Sequence, residues 1–315
     1  MRWTGFGRFS QILTATIAAI ACTAGVAPAH AQGPEPVGPN PSFASGSESG
    51  TNDPASGGVA ALPNAGQFPA SQAVAEHPLV PALRMAYSGM DNINKNIRDY
   101  SALLVKRERI DGKLLDYQYM AVKIRNPREG VPFGVYLRFL KPEEMAGREV
   151  IYVEGANKGE LQAHEGKGLR ARLGTFSFNP TSAIAMEGNR YPITQIGIYN
   201  LTHRLIEVAE HDKKYGECDV QFRKGAKVND RICTIIEVTH PVPRRNFLFH
   251  KAVVYVDDQL NVPIRYEAYS WPKQPGGAPV LDEEYTYLNM KVNVGLTDAD
   301  FDIHNPAYHY KEGGH

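Results

Sequence analysis

"YLRFLKPEEMAGREVIYVEG", residues 136–155, reads as strand, turn and strand, with Lys141 to Gly147 as the connection between two β-rich runs. Alternation sets Val135, Leu137 and Phe139 on one face and Tyr136, Arg138 and Leu140 on the other, so a single register buries the first set. No catalytic motif stands beside this hairpin, and it reads as scaffold.

The same period of two extends outward on both sides. Before the hairpin come "YSALLVKRERI" (100–110) and "LDYQYMAVKIR" (115–125), its own strands are "FGVYLRFL" (133–140) and "REVIYVEG" (148–155), and after it comes "ELQAH" (160–164). Asp111-Gly112 is a hairpin signal between the first two. Strands resume at "ECDVQFRK", "RICTIIEVTH", "NFLFHKAVVYVDD", "VPIRYEAYSW" and "EEYTYLNMKVNV", with turns at Asn229-Asp230 and Asp258 to Asn261. Sequential antiparallel pairing follows from such short connections. Strand and helix do not alternate, so the predicted class is α+β: one large curved antiparallel sheet of about ten strands.

Helical periodicity is confined to three places. Leu79, Leu83, Ala86, Met90, Ile93 and Ile97 repeat at steps of four and three, predicting a helix over 79–98 that enters through Pro78 and Pro81. Within "FNPTSAIAMEGNRYPITQIGIYNLTHRLIEVAEHD", Asn179 is the expected cap of a short helix that ends before Gly188. A further helix then aligns Ile198, Leu201, Leu205 and Val208. These amphipathic helices are available to cover the concave face.

Composition bounds the partners. The 315 residues carry 34 basic and 34 acidic side chains, a balance that argues against phosphate-neutralising nucleic-acid binding. Residues 1–31 read as a signal peptide: Arg2 and Arg8, then "ILTATIAAIACTAGVA", then Ala29-His30-Ala31. Without them the chain has two more acids than bases. Cys22 in "AIAC" offers a lipidation alternative, disfavoured because Ala19 stands where such signals carry leucine. Residues 32–75, rich in Gly, Pro, Ser and Ala and lacking Lys and Arg, read as a disordered linker; 76–310 are the folded domain and 311–315 a tail. No later apolar run reaches spanning length, and localisation is read as exported, to the periplasm or cell envelope.

The helix feeding "NIRDYSALLVKRERI", the hairpin at 136–155 and the ending "YTYLNMKVNVGLTDADFDIHNP" resemble exported bacterial proteins of the outer-membrane lipoprotein carrier fold, the LolA/LolB-like group. "PTSAIAMEGNRYPITQIGIYNL" and "VPIRYEAYSWP" look like an exported bacterial family known only as a domain of unknown function. The resemblance covers residues 77–310. It implies a half-barrel with helices across its open side and an acyl chain or other apolar ligand between them. Relative to a simple carrier, "HEGKGLRARLGTFSFNPTSAIAMEGNRYP" reads as an insertion between strands.

His164 and Glu165 in a Gly-rich segment carry an acid–base pairing in principle, but no second histidine stands at ligand spacing, and the segment reads as a hairpin tip. His203 and His211 are expected to face solvent. His304, His309 and His315 fall in an expected mobile tail. Asp282, Glu283, Glu284 and the pair Asp257-Asp258 are expected to be solvated turn charges. Cys218 and Cys233 are a candidate disulfide, although a two-residue turn at Asn229-Asp230 sets Ala226, not Cys218, opposite Cys233. No catalytic residue, metal or cofactor is assigned. The leading functional expectation is a non-catalytic exported protein binding a lipid, a lipoprotein acyl chain or another apolar ligand through Leu83, Met90, Tyr119, Phe139, Tyr255, Tyr266, Trp271 and Tyr287. A cell-envelope protein-interaction module is the alternative, and an exported hydrolase using His164 and Glu165 the third reading.

Overall fold

The structure, a computed structural model, describes residues 76–311. The signal peptide with Cys22, the linker, and His315 lie outside the described residues. Twelve strands form one sheet: β1 (Asp99–Ile110), β2 (Lys113–Leu114), β3 (Gln118–Arg125), β4 (Gly134–Lys141), β5 (Glu149–Val153), β6 (Leu161–His164), β7 (Thr175–Phe178), β8 (Asp219–Val228), β9 (Arg231–Thr239), β10 (Lys251–Asp257), β11 (Val262–Ser270) and β12 (Val280–Val292). Their order is β7-β6-β5-β4-β3-β1-β12-β11-β10-β9-β8, with β2 a short partner of β1. Each neighbouring pair is antiparallel, and the sheet is an open half-barrel.

Strand β1 lies mid-sheet, so the chain builds two wings. Strands β3 to β7 meander to one edge, and β8 to β12 return from the opposite edge to close on β1. The connection from β7 to β8 must therefore cross the whole concave face. It carries two helices, α2 (Ala183–Met186) and α3 (Ile198–Asp212), joining α1 (Val80–Asn96) there. The segment that reads as an insertion is thus partly strand, β7, and partly this obligatory crossover.

The hairpin register is the one its alternation demands. Val135, Leu137 and Phe139 are buried in the main core, whereas Leu140 on the other face is exposed. Tyr136 is buried as well, because the opposite face is not solvated there: Tyr308 stacks on it at 4.0 Å, and Phe301 and Ile151 complete a second apolar layer. The C-terminal segment is therefore docked on the convex face through residue 311. His309 donates its backbone N–H to the fully buried Glu149 carboxylate at 2.8 Å, which corrects the expectation of a mobile tail.

Helix α1 buries Leu79, Leu83, Ile93 and Ile97 as its periodicity predicts, and packs on α3 and β11. Gly89 permits that approach, since a Cβ there would come within 2.7 Å of the Asn261 carbonyl oxygen. The cap of α2 is Ser182, whose hydroxyl accepts from Ala185 N, rather than Asn179. Asn179 instead accepts from the backbone N–H of Thr181, two residues on. Asp257 and the triplet Asp282 to Glu284 are not solvated turn charges. Asp257 is buried against Arg231, and Glu283 and Glu284 sit inside β12 at 4% and 6% exposure.

Candidate functional site: a cavity between sheet and helices

Along the first wing a filled core gives way to open space. Tyr100, Ile124 and Val135 are completely buried near the start of β1, the end of β3 and the start of β4. Toward the opposite ends of the same strands, Leu104, Met120, Leu137 and Phe139 line a cavity of about 1240 Å³. Ordinary small-molecule pockets span roughly 300–1,000 Å³, so this one is large. The period of two supplies its wall: Leu161 and Ala163 from β6, Val254 and Val256 from β10, Tyr285 and Tyr287 from β12. Leu83 and Ala86 of α1 and Leu205 and Val208 of α3 form the facing side.

Two buried tyrosines seat the helical cover. Helix α3 begins at Gly197, whose φ of 105° no side chain with a Cβ adopts comfortably, and it has no side-chain cap of its own. The N–H of Ile198 donates to the Tyr100 hydroxyl at 2.9 Å and that of Gly197 to the Tyr287 hydroxyl at 3.0 Å. Burial pushes both phenols above their ordinary pKa. The sheet itself thus satisfies the orphan donors of the helix that crosses it.

One region of the wall is polar. Lys106 and Glu108 of β1 and Glu283 of β12 continue the inward phase of Leu104 and Tyr285. Lys106 reaches Glu108 at 3.1 Å and Asn189 at 2.5 Å, and Arg190 reaches Glu283 at 3.1 Å. Tyr191 donates to Glu283 at 3.1 Å, and the Tyr285 hydroxyl joins Glu108 to Glu283. Burial holds the Glu283 carboxyl above the usual range, opposed by the Arg190 charge and the Tyr191 hydroxyl, with Glu108 adding to the rise. The arrangement offers an apolar body with a hydrogen-bonding pole, the profile of an amphiphile.

Of the eight lining residues expected from sequence, Leu83, Phe139, Tyr266 and Tyr287 face the cavity. The other four do not, and strand phase or position explains each. Tyr119 is on the opposite face of β3 from Met120, beside Lys141 and Tyr117. Tyr255 alternates with Val254 and Val256 and packs near the Arg265 guanidinium, 5.6 Å away. Trp271 lies past the end of β11 with its ring 5.7 Å from that of His250, and on α1 the neighbouring Gly89, not Met90, lines the wall.

His164 and Glu165 do not converge. The His164 ring is buried on the face away from the cavity, its Nδ1 3.3 Å from the Gly174 carbonyl, while Glu165 is paired with Arg148 at 3.0 Å. His203 and His211 are exposed, as expected. Cys218 and Cys233 are free buried thiols, which corrects the candidate disulfide. The reason is the register Ala226↔Cys233, with Cys218 preceding the far end of β8. Burial, reinforced by nearby aspartates, pushes both thiols up to about 11. Among the described residues no group of His, Cys, Asp or Glu is arranged to hold a metal ion. No helix among them is long and apolar enough to cross a membrane.

A family model described as "Protein of unknown function (DUF1571)" matches residues 97–310. Comparison with curated proteins finds no match. Among solved structures, the chain is similar to lipoprotein LppX of Mycobacterium tuberculosis, with 14% identity, a TM-score of 0.39, and coverage of 71% of this chain and 100% of that one. A DUF1329 family protein from Desulfovibrio piger has 15% identity and a TM-score of 0.36, covering 72% of this chain and 98% of that one. A putative outer membrane lipoprotein-sorting protein domain from Vibrio parahaemolyticus has 13% identity and a TM-score of 0.35, covering 70% and 95%.

Proposed function

We propose that this chain, which belongs to the family described as protein of unknown function (DUF1571), is an exported binding protein that holds a lipid or other apolar ligand without catalysing a reaction on it. The observation that carries the reading is the large cavity between the half-barrel and its helices, apolar over most of its wall. A well-filled core would show no such space, because interiors pack to the density of organic crystals. Leu83, Phe139, Tyr266 and Tyr287 contact the apolar part of the ligand, and the pole around Lys106, Glu108, Arg190 and Glu283 receives its polar end. A lipoprotein acyl chain is one ligand of this chemistry. Export rests on the signature in residues 1–31.

The test is organic extraction of the natively purified protein followed by mass spectrometry, together with uptake of a neutral apolar fluorophore. A co-purifying lipid and saturable uptake are expected. Finding neither would remove the reading and favour the cell-envelope interaction module.

A further inference from the structure

The two ends of the half-barrel differ in chemistry. The register brings the β6–β7, β9–β10 and β11–β12 loops to one end of the sheet, because His164 faces Thr175, Thr239 faces Lys251, and Ser270 faces Val280. The β4–β5 turn emerges there too, and Gly166 packs against its Gly147. This end exposes Leu169 at 75%, Leu248 at 62%, Leu173 at 57% and Val242 at 47%. Around them stand exposed Lys167, Arg172, Arg244, Arg245 and Lys273, while Glu165 is the only carboxylate in these three loops.

Lys167 and Arg244 pair with Glu143 and Glu217, but Arg172, Arg245 and Lys273 make no ion pair among the described residues. Neighbouring turns add Asp111, Asp116 and Glu144 with Lys113 and Lys141. At the opposite end exposed Glu129, Glu154, Asp230 and Asp258 stand against Arg98, Arg128, Lys158, Lys227 and Lys291, and Asp298 is paired with Arg125 at 2.6 Å.

We propose that the loop end bearing Leu169, Leu173 and Leu248 is a docking surface for an anionic lipid bilayer. Exposed leucines beside unpaired cations fit a surface that offers both acyl chains and negative headgroups. The far end, where acids and bases nearly balance, offers no such excess of cations, so the docking has one polarity. The cavity wall reaches this end through Met145, Arg148, Leu248 and Phe249. Docking therefore sets the cavity toward the membrane. The surface rests on exposure and charge alone and does not depend on what the cavity holds.

The experiment is flotation of the exported chain, processed to begin at Gln32, with phosphatidylethanolamine vesicles containing phosphatidylglycerol, against phosphatidylcholine vesicles. Binding to the anionic vesicles, lost with added salt, is expected. Leu169→Glu with Leu173→Glu should lower the partition by at least about tenfold, through lost apolar insertion and added repulsion. Arg172→Ala and Arg245→Ala should each lower it about fivefold. Glu129→Ala and Asp230→Ala at the far end should leave it unchanged or slightly raised. Far-UV circular dichroism and the thermal midpoint should stay at the parent's values in every variant, which shows that they are folded whether or not the cavity takes up a ligand. Unaltered flotation of the leucine pair, equal binding to both vesicle types, or self-association without vesicle binding overturns the proposal.

Discussion

Removing either hydroxyl that seats α3 should loosen the cover of the cavity. In Tyr100→Phe and Tyr287→Phe the ring and its apolar burial survive, but Ile198 N–H or Gly197 N–H is left buried without an acceptor. An orphaned buried donor costs about 1–3 kcal/mol, which for a domain of this size lowers the thermal midpoint by roughly 2–4 °C per kcal/mol. The two rings meet edge to face at 6.2 Å and serve adjacent N–H groups, so the substitutions should couple by roughly 0.5 kcal/mol or more in a double-mutant cycle. Denaturant unfolding gives the three free energies, and hydrogen exchange at Ile198 reports whether the helix start has opened. Variants within about 0.5 kcal/mol of the parent, the range of inert surface changes, would refute the reasoning. Unchanged exchange at Ile198 in Tyr100→Phe would do the same.

Further outcomes follow from the charged groups and thiols. At Asp257 burial works to raise the carboxyl pKa and is outweighed by Arg231 and the N–H groups of Leu260 and Gln259, so the net shift is downward. A lowered folded pKa gives stability that is present above the unfolded pKa and lost as pH falls through the folded one. Asp257→Asn should therefore lower the thermal midpoint at neutral pH, with the deficit shrinking in acid. Glu283 has the opposite sign: its raised folded pKa gives stability present in acid and lost as pH rises through that pKa. The midpoint of Glu283→Gln relative to the parent should accordingly climb from acid toward neutral pH. Denaturing thiol titration of the exported protein should count both Cys218 and Cys233 as free, and intact mass should start the chain at Gln32, with lipidated Cys22 the contrary result.

The parts of the fold written in short periods were the legible ones. The register of the 136–155 hairpin, the face of α1 and the Asn229-Asp230 turn each follow from local alternation, and the structure has all three. The segment 164–192 reads as an insertion because the role of β7 and of the crossover that follows it depends on which edge each wing reaches, and no local pattern carries that. For Tyr119 and Tyr255 residue type points to the cavity but strand phase decides, since Met120 and Val254 mark the inward face of their strands. The polar pole had a signal in phase, with Lys106, Glu108 and Glu283 at inward positions of apolar strands. Arg190 and Tyr191 had none, because they join the pole from an irregular connection.

The central claim is that the space under the helices is a ligand site. Ala163 lines it from β6 and is only partly buried, so Ala163→Trp places an indole in the cavity and not in a filled core. The direct measurement is equilibrium titration of a neutral apolar fluorophore into the parent and this variant, at matched thermal midpoints. The account predicts saturable uptake by the parent and at least about a tenfold weaker affinity in the variant, as expected when bulk replaces roughly one side chain's worth of ligand contact. Equal titration curves, or no uptake by either protein, would contradict it.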